Sequence, residues 1–144
     1  MPGPNEAGTS RVYIALGSNL GDRERALGFA RDKLAELPAT VIKGASAIEE
    51  TDPLGGVDQP RYLNQMVALD TALSPHELLA ALQGIERLAG RIRREPWAFR
   101  ILDLDIVRFA DLELEEPGLR LPHPGLRDRD FWQRELRELT DQGF

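Results

Sequence analysis

The stretch Tyr62-Leu-Asn-Gln-Met-Val-Ala-Leu-Asp-Thr-Ala-Leu73, followed at once by Ser74-Pro75-His76-Glu77, decides the fold of this chain. The first part is apolar-rich, with Leu63, Met66, Val67 and Leu69, and predicts a strand from Tyr62 to Leu73. The second part is a capping box. The Ser74 hydroxyl can accept the Glu77 N–H, Glu77 can reach back to Ser74, and Pro75 takes the first helical position. A helix therefore starts directly after the strand. It is predicted to run to about Ala89, with Gly90 as its C-terminal cap.

Working toward the N-terminus, Val41 to Glu50 reads as another strand, joined to Tyr62 by the Pro/Gly-rich loop Asp52-Pro-Leu-Gly-Gly-Val-Asp-Gln-Pro60. Before it, Asp22 caps a helix to about Leu37, with Ala26, Leu27, Ala30, Leu34 and Leu37 as its apolar face and Pro38 marking its end. Arg11 to Leu16 is a short β-rich run closed by Gly17-Ser-Asn-Leu-Gly21. Toward the C-terminus, a polar loop from Arg91 to Arg100 leads into Arg100-Ile-Leu-Asp-Leu-Asp-Ile106, a fourth strand. The turn Leu121-Pro-His-Pro-Gly125 and a charged helical stretch from about Arg129 to Thr140 follow. The order strand–helix–strand–strand–helix–strand is the split arrangement of ferredoxin-like folds. The expectation is an α+β protein: a βαββαβ antiparallel sheet with both helices packed on one face, plus a C-terminal helical segment. Residues 1–10 read as a flexible tail and residues 11–144 as a single domain.

Composition agrees with one soluble domain. The chain has 144 residues, 42% of them hydrophobic and 29% charged. No run is long and apolar enough to span a membrane, and the first ten residues lack the apolar segment of a secretory signal. A cytoplasmic location is expected. Cysteine is absent, which excludes disulfides, thiolate catalysis and thiolate–zinc sites. The net charge of −6 argues against a general nucleic-acid binder. Arginines nevertheless gather between Arg87 and Arg108 and again from Arg120 to Arg137, while Lys33 and Lys43 are the only lysines. A local arginine cluster in an acidic protein suits a small polyanionic ligand.

Asp103 and Asp105 carry the sharpest chemical signal. Side chains at i and i+2 of a strand share a face, so both carboxylates look the same way while Leu102, Leu104 and Ile106 face a core. Adjacent carboxylates repel each other, and a hard divalent cation such as Mg²⁺ would relieve that. An ordinary strand with one wet face fits the same alternation equally well. Gln83 and Glu86 share a face of the second helix. A glutamate in mid-helix, such as Glu86, is more usually a solvated residue than part of a site. His123 lies between two prolines, where a structural role is the commoner one. Trp97, flanked by arginines, suits stacking on a flat ring or plugging a loop.

Taken together, the segments resemble the 6-hydroxymethyl-7,8-dihydropterin pyrophosphokinase family of folate biosynthesis. The resemblance rests on Tyr13-Ile-Ala-Leu-Gly-Ser-Asn-Leu20, Thr51-Asp-Pro-Leu-Gly55, Gln59-Pro-Arg-Tyr-Leu-Asn64, Gln83-Gly-Ile-Glu86, Gly90-Arg91, Trp97-Ala-Phe-Arg-Ile-Leu-Asp-Leu-Asp105, Leu121-Pro-His123 and Arg129-Asp-Phe131, all in family order. It implies transfer of pyrophosphate from ATP to the pterin hydroxymethyl group, leaving AMP. It implies two Mg²⁺ ions on Asp103 and Asp105. Asp103, Asp105, Arg91 and Arg100 would be catalytic. Gln83, Glu86, Arg91, Arg93, Trp97, Arg100, Ile106, His123 and Arg129 would bind ATP. Thr51, Asp52, Leu54, Tyr62, Asn64, Trp97 and Phe131 would bind the pterin, with Tyr62 and Phe131 sandwiching the ring. The implied partners are these two small molecules, with no nucleic acid and no membrane, on a monomer. The loops at 17–21, 52–60 and 91–99 are the expected lids.

Three departures stand out. Trp97-Ala-Phe-Arg100 replaces the family's usual Trp-Gly-Pro-Arg, the loop before Trp97 is about one residue shorter than in some members, and the match fades beyond Phe131. The rival reading is a ferredoxin-like module that senses a nucleotide and does no chemistry. Retention of both aspartates and of the Tyr62/Asn64 pair argues against it.

Overall fold

A computed structural model describes residues 8–53, 58, 60–92 and 102–144. The elements are β1 (Ser10–Ser18), α1 (Arg23–Ala35), β2 (Thr40–Ala45), β3 (Glu49–Thr51), β4 (Tyr62–Thr71), α2 (Pro75–Ile92), β5 (Asp103–Phe109), β6 (Leu114–Glu116), β7 (Leu119–Leu121), a 3₁₀ turn (Pro124–Arg127) and α3 (Asp130–Asp141). Among the described residues the main sheet runs β2-β4-β1-β5, with β3 also paired to β4 and every pairing antiparallel. That is the order a split βαβ unit produces, and the ferredoxin-like expectation holds.

The helices form where the sequence places their caps. Asp22 Oδ1 accepts the Arg25 N–H at 3.1 Å, and the Ser74–Glu77 box closes reciprocally at 3.1 and 2.8 Å. Helix α2 departs from expectation at its far end. It continues through Gly90 to Ile92, so Gly90 is not its cap.

The predicted second strand is broken. Thr40–Ala45 and Glu49–Thr51 lie one after the other along the same edge of β4, separated by Ser46-Ala47-Ile48. Ser46 replaces part of the lost ladder. Its N–H donates to Met66 O at 2.8 Å, and its hydroxyl accepts the Met66 N–H at 2.9 Å. The third strand ends at Thr71 rather than Leu73. The β6–β7 hairpin was not anticipated. It turns at Pro117-Gly118, where Gly118 has a φ of 83°, the left-handed value a type II turn requires at that position.

The two sheet faces bury different things. Val12, Ile14 and Leu16 of β1 point to a core shared with Leu27, Ala30 and Leu34 of α1 and Leu78, Leu82, Ile85 and Ala89 of α2. Tyr13, Ala15, Met66, Ala68 and Val107 point the other way, onto Trp132, Leu136 and Leu139 of α3. Burying a residue such as Leu16 or Leu82 stabilises by about 1.5–3 kcal/mol. The C-terminal helix therefore covers the second face. Its far end is tied down as well. The Phe144 carbonyl accepts from the Tyr13 hydroxyl and from Arg11, and the Phe144 ring lies against Gly44. A Cβ at Gly44 would meet that ring at 2.6 Å. Gly44→Leu is expected to expel the ring and cost about 1–3 kcal/mol, measurable as a lower urea midpoint.

Candidate active site

The cleft arises from a taper along β1. Its side chains on the α3 face shrink from Tyr13 to Ala15 to Gly17. Sheet and helix meet at Tyr13 and part toward Gly17. Register fixes what faces the space so opened. Ala15 pairs with Met66 on one side and Asp105 on the other, and Gly17 pairs with Asn64 and Asp103. Both aspartates therefore share one face, half-buried, while Leu102, Leu104 and Ile106 are buried on the other, as their alternation predicts. The cleft has a volume of 490 Å³ and is lined by Ala15, Leu16, Gly17, Thr51, Asp52, Tyr62, Asn64, Asp103, Asp105, Arg129, Phe131 and Trp132. A Cβ at Gly17 would sit 3.3 Å from Asn64 Oδ1, so the bare backbone there forms the floor.

One end of the cleft is built for a flat, polar-edged ring. Asn64 is buried and donates Nδ2 to Thr51 Oγ1 at 2.5 Å, which fixes its amide plane. The amide keeps its oxygen and a second N–H for other partners. Tyr62 and Phe131 line the same space from β4 and α3. Asp52 is exposed and held by Arg61 at 3.1 Å. Arg61 also pairs with Glu50, which Arg23 contacts at 2.7 Å from the start of α1. The hydrogen bond from Arg23, then the positive charges of Arg61 and Arg23, hold the Glu50 carboxyl below its usual range.

The other end is charged. His123 Nε2 lies 3.5 Å from Asp105 Oδ1, and His123 Nδ1 accepts the Gly125 N–H at 2.9 Å. In the neutral ring the proton therefore sits on Nε2, toward Asp105. Trp132 packs against both His123 and Arg129. Its ring meets His123 edge-on at 4.9 Å and lies under the Arg129 guanidinium at 4.3 Å. Gly125 makes room between them, since a Cβ there would come within 3.1 Å of both His123 Nδ1 and the Arg129 guanidinium carbon. A second space, of 220 Å³, continues from Asp105 past Ile106 and His123 to Leu79, Gly118 and Leu119.

The structure thus brings together Asp103, Asp105, His123, Arg129, Thr51, Asp52, Tyr62, Asn64, Phe131 and Ile106. Glu86 is tied to the same strand. Its Oε2 accepts the Leu104 N–H at 2.8 Å, a group on the edge of β5 that faces away from β1 and has no strand partner among the described residues. Gln83 is exposed one turn earlier on α2. Arg91 lies in α2, but its side chain is outside the described residues, as are Leu54, Arg93, Trp97 and Arg100.

Sequence reasoning missed Trp132, dismissed within a polar stretch. Its signal was there: Trp132, Leu136 and Leu139 recur at helical spacing. It also missed the end of β1, where among the described residues the buried Ser18 Oγ and Asn19 Oδ1 have no hydrogen-bond partner. Trp132→Ala is expected to cost about 3–5 kcal/mol and to loosen His123 and Arg129 together; chemical denaturation measures the first effect.

Comparison with known proteins agrees with this geometry. Residues 13–141 match the family model described as 7,8-dihydro-6-hydroxymethylpterin-pyrophosphokinase (HPPK). The chain is 44% identical over 130 residues to the 2-amino-4-hydroxy-6-hydroxymethyldihydropteridine pyrophosphokinase of Pseudomonas aeruginosa, covering 90% of this chain and 80% of that protein. It is 43% identical over 131 residues to the Bacillus subtilis protein of the same description, covering 91% of this chain and 78% of that one. In three dimensions it resembles a crystal structure of a Plasmodium falciparum HPPK-DHPS variant with pteroate. The TM-score is 0.64 at 17% identity, over 87% of this chain and 38% of that longer one, a likeness of fold.

Proposed function

The chain belongs to the 7,8-dihydro-6-hydroxymethylpterin-pyrophosphokinase family, and from that premise we propose that it moves pyrophosphate from ATP to the hydroxymethyl group of 6-hydroxymethyl-7,8-dihydropterin, a step of tetrahydrofolate biosynthesis. One observation carries the reading. A paired-carboxylate end (Asp103, Asp105) and a ring-binding end (Tyr62, Asn64, Phe131) share one 490 Å³ cleft.

In this reading the pterin lies between Tyr62 and Phe131. Asn64 addresses its ring edge, beside Thr51, Asp52 and Leu54, and Trp97 closes over it. The pterin hydroxymethyl oxygen attacks the β-phosphorus of ATP. The bond from that phosphorus to the α–β bridging oxygen breaks, AMP leaves with that oxygen, and the hydroxyl proton passes to solvent water. Asp103 polarises the attacking hydroxyl. Arg91, Arg93, Arg100 and Arg129 hold phosphate oxygens through their guanidinium forks. His123 directs Nε2–H toward the phosphates next to Asp105. Ile106 lines the nucleotide side, with Gln83 nearby. Glu86 acts through β5, holding the strand that carries both aspartates.

Mg²⁺ fits these residues. Two adjacent carboxylates open to a cleft are too few to cage a metal, and among the described residues no group of three His, Asp or Glu is placed to hold one by itself. Mg²⁺ binds through one or two carboxylates plus waters and substrate phosphates. Asp103 and Asp105 would hold two ions, which supply charge compensation at the transferring phosphates.

We read residues 11–144 as one catalytic domain that works as a cytoplasmic monomer. No helix among the described residues is long and apolar enough to cross a membrane.

The test is incubation with ATP, Mg²⁺ and 6-hydroxymethyl-7,8-dihydropterin. AMP and pterin diphosphate are expected only when metal and pterin are both present. ADP in place of AMP would refute pyrophosphate transfer, and bound ATP without turnover would favour the sensor reading.

A further inference from the structure

The buried stripe of α3 contains one residue whose polarity does not fit it. Trp132, Glu135, Leu136 and Leu139 are the helix's buried positions. Glu135 is 1% exposed, and among the described residues no N–H or O–H donor reaches either carboxyl oxygen. An ionised carboxylate in such a place loses its hydration without replacement. Burial first, then the neighbouring Glu49 carboxylate, push the Glu135 carboxyl up to about 9. It is therefore a neutral acid at pH 7, with a proton to donate.

The charged groups acting on it are Glu49 from β3 and Arg134 and Glu138 from α3 itself. All three are already engaged across the helix–sheet junction. Arg134 donates to Glu49 Oε1 at 2.7 Å, and Glu138 Oε2 accepts the Ala47 N–H at 2.9 Å, in the break between β2 and β3. Glu49 keeps a second carboxylate oxygen. A carboxylic acid beside a carboxylate forms a strong, charge-assisted hydrogen bond.

We propose that Glu135 donates its carboxyl proton to Glu49, and that this acid–carboxylate bond makes Glu135 a positioning residue for the pterin. The bond ties two walls of the cleft. Glu49 is the register partner of Asn64, and Thr51, two residues on, accepts from the Asn64 amide. One helical turn before Glu135, α3 carries Phe131 and the Arg129–Trp132 stack. Fixing α3 against β3 therefore sets the gap between Phe131 and the Tyr62/Asn64 side. The positioning part rests on the reading of this cleft as the pterin pocket; the shared proton does not.

The sign follows from linkage. A glutamate carboxyl titrates near 4.5 in the unfolded chain and near 9 in the folded one. Between those values the folded state holds the extra proton, so stability declines as pH rises through that window and levels off above it. Glu135→Gln keeps the shape, donates to Glu49 at every pH and does not titrate.

Melting temperatures of the full chain and of Glu135→Gln, measured from pH 5 to 9.5, test the pair. The curves are expected to lie close at pH 5 and to separate by about 5 °C or more at pH 9, with the variant higher. Parallel curves would overturn the shared proton. Steady-state kinetics on the same two proteins test the positioning. The pterin KM of the parent is expected to rise about tenfold between pH 7 and 9.5 with kcat nearly constant, and to stay flat in Glu135→Gln. Separated melting curves with superimposable pterin KM profiles would overturn the positioning role. Absence of pterin turnover at every pH would instead sink the pocket reading and the positioning built on it, while the melting curves still decide the shared proton.

Discussion

Asp105→Ala is expected to lower kcat by about 10³-fold or more while leaving the melting temperature within a few degrees. The two halves of that expectation have different origins. Asp105 is half-buried at the mouth of a cleft and lies 3.5 Å from His123, so its removal opens no hole in the core. The β5 ladder to β1 uses backbone groups, which alanine keeps. Catalysis depends on the carboxylate directly, because with one aspartate left a divalent cation has a single anchor and the phosphates a less compensated charge. Pre-steady-state and steady-state assays of AMP formation check the first half, and calorimetry checks the second. Normal turnover in this variant would refute the paired-carboxylate reading, and Asp103→Ala should behave alike.

Asn64→Ala is expected to raise the pterin KM by about 10²-fold and the ATP KM by less than about threefold. Asn64 sits on the floor of the cleft with its amide plane set by Thr51. Losing the amide removes the bond to Thr51 Oγ1 and, in the proposed pose, leaves the pterin edge without its partner once the ring covers the buried Asn64 position, which is the costly kind of hydrogen-bond loss. The end proposed for the nucleotide lies across the cleft, around Asp105, Ile106 and His123, away from the substitution. Because Asn64 is itself buried, the near-isosteric Asn64→Asp serves as control. It keeps the volume and the oxygen and loses the donors, and should show the same split between substrates. Equal losses for pterin and ATP would refute the assigned role.

Much of this was legible in the chain, for local reasons. The capping box at Ser74–Glu77 and the Asp22 cap are chemistry within four residues, and both formed as read. The alternation around Asp103 and Asp105 needs only the two-residue period of a strand. What escaped depends on partners far away in sequence. The split between β2 and β3 is invisible because Ser46 substitutes its hydroxyl and N–H for the ladder, and only β4 reveals it. Gly90 looked like a cap, yet the helix continues through it. A bulge where β1 meets β5 shifts the alternation after Ile106. It sets Arg108 opposite Tyr13 and lets Phe109 reach the helix-side core. Helix α3 read as polar because a glutamate sits in its buried stripe. The family resemblance supplied roles for Thr51 and Phe131 that spacing alone would not assign. Trp97 and Arg100 fall outside the described residues.

The two borders of the main sheet deserve comparison with what an open sheet risks, which is adding a strand from another molecule. Beyond β4, the border is cut into two short pieces, with Glu138 seated on the Ala47 N–H in the gap. Beyond β5, Glu86 takes the Leu104 N–H and the His123 N–H donates to the Val107 carbonyl at 2.9 Å. Groups read here as belonging to the nucleotide side thus also occupy the backbone positions on which a foreign strand would dock. Variants at Glu86 made to study turnover should accordingly be watched for self-association at high concentration, since a substitution that removes its carboxylate also bares the Leu104 N–H, whereas His123 variants keep their backbone bond to Val107.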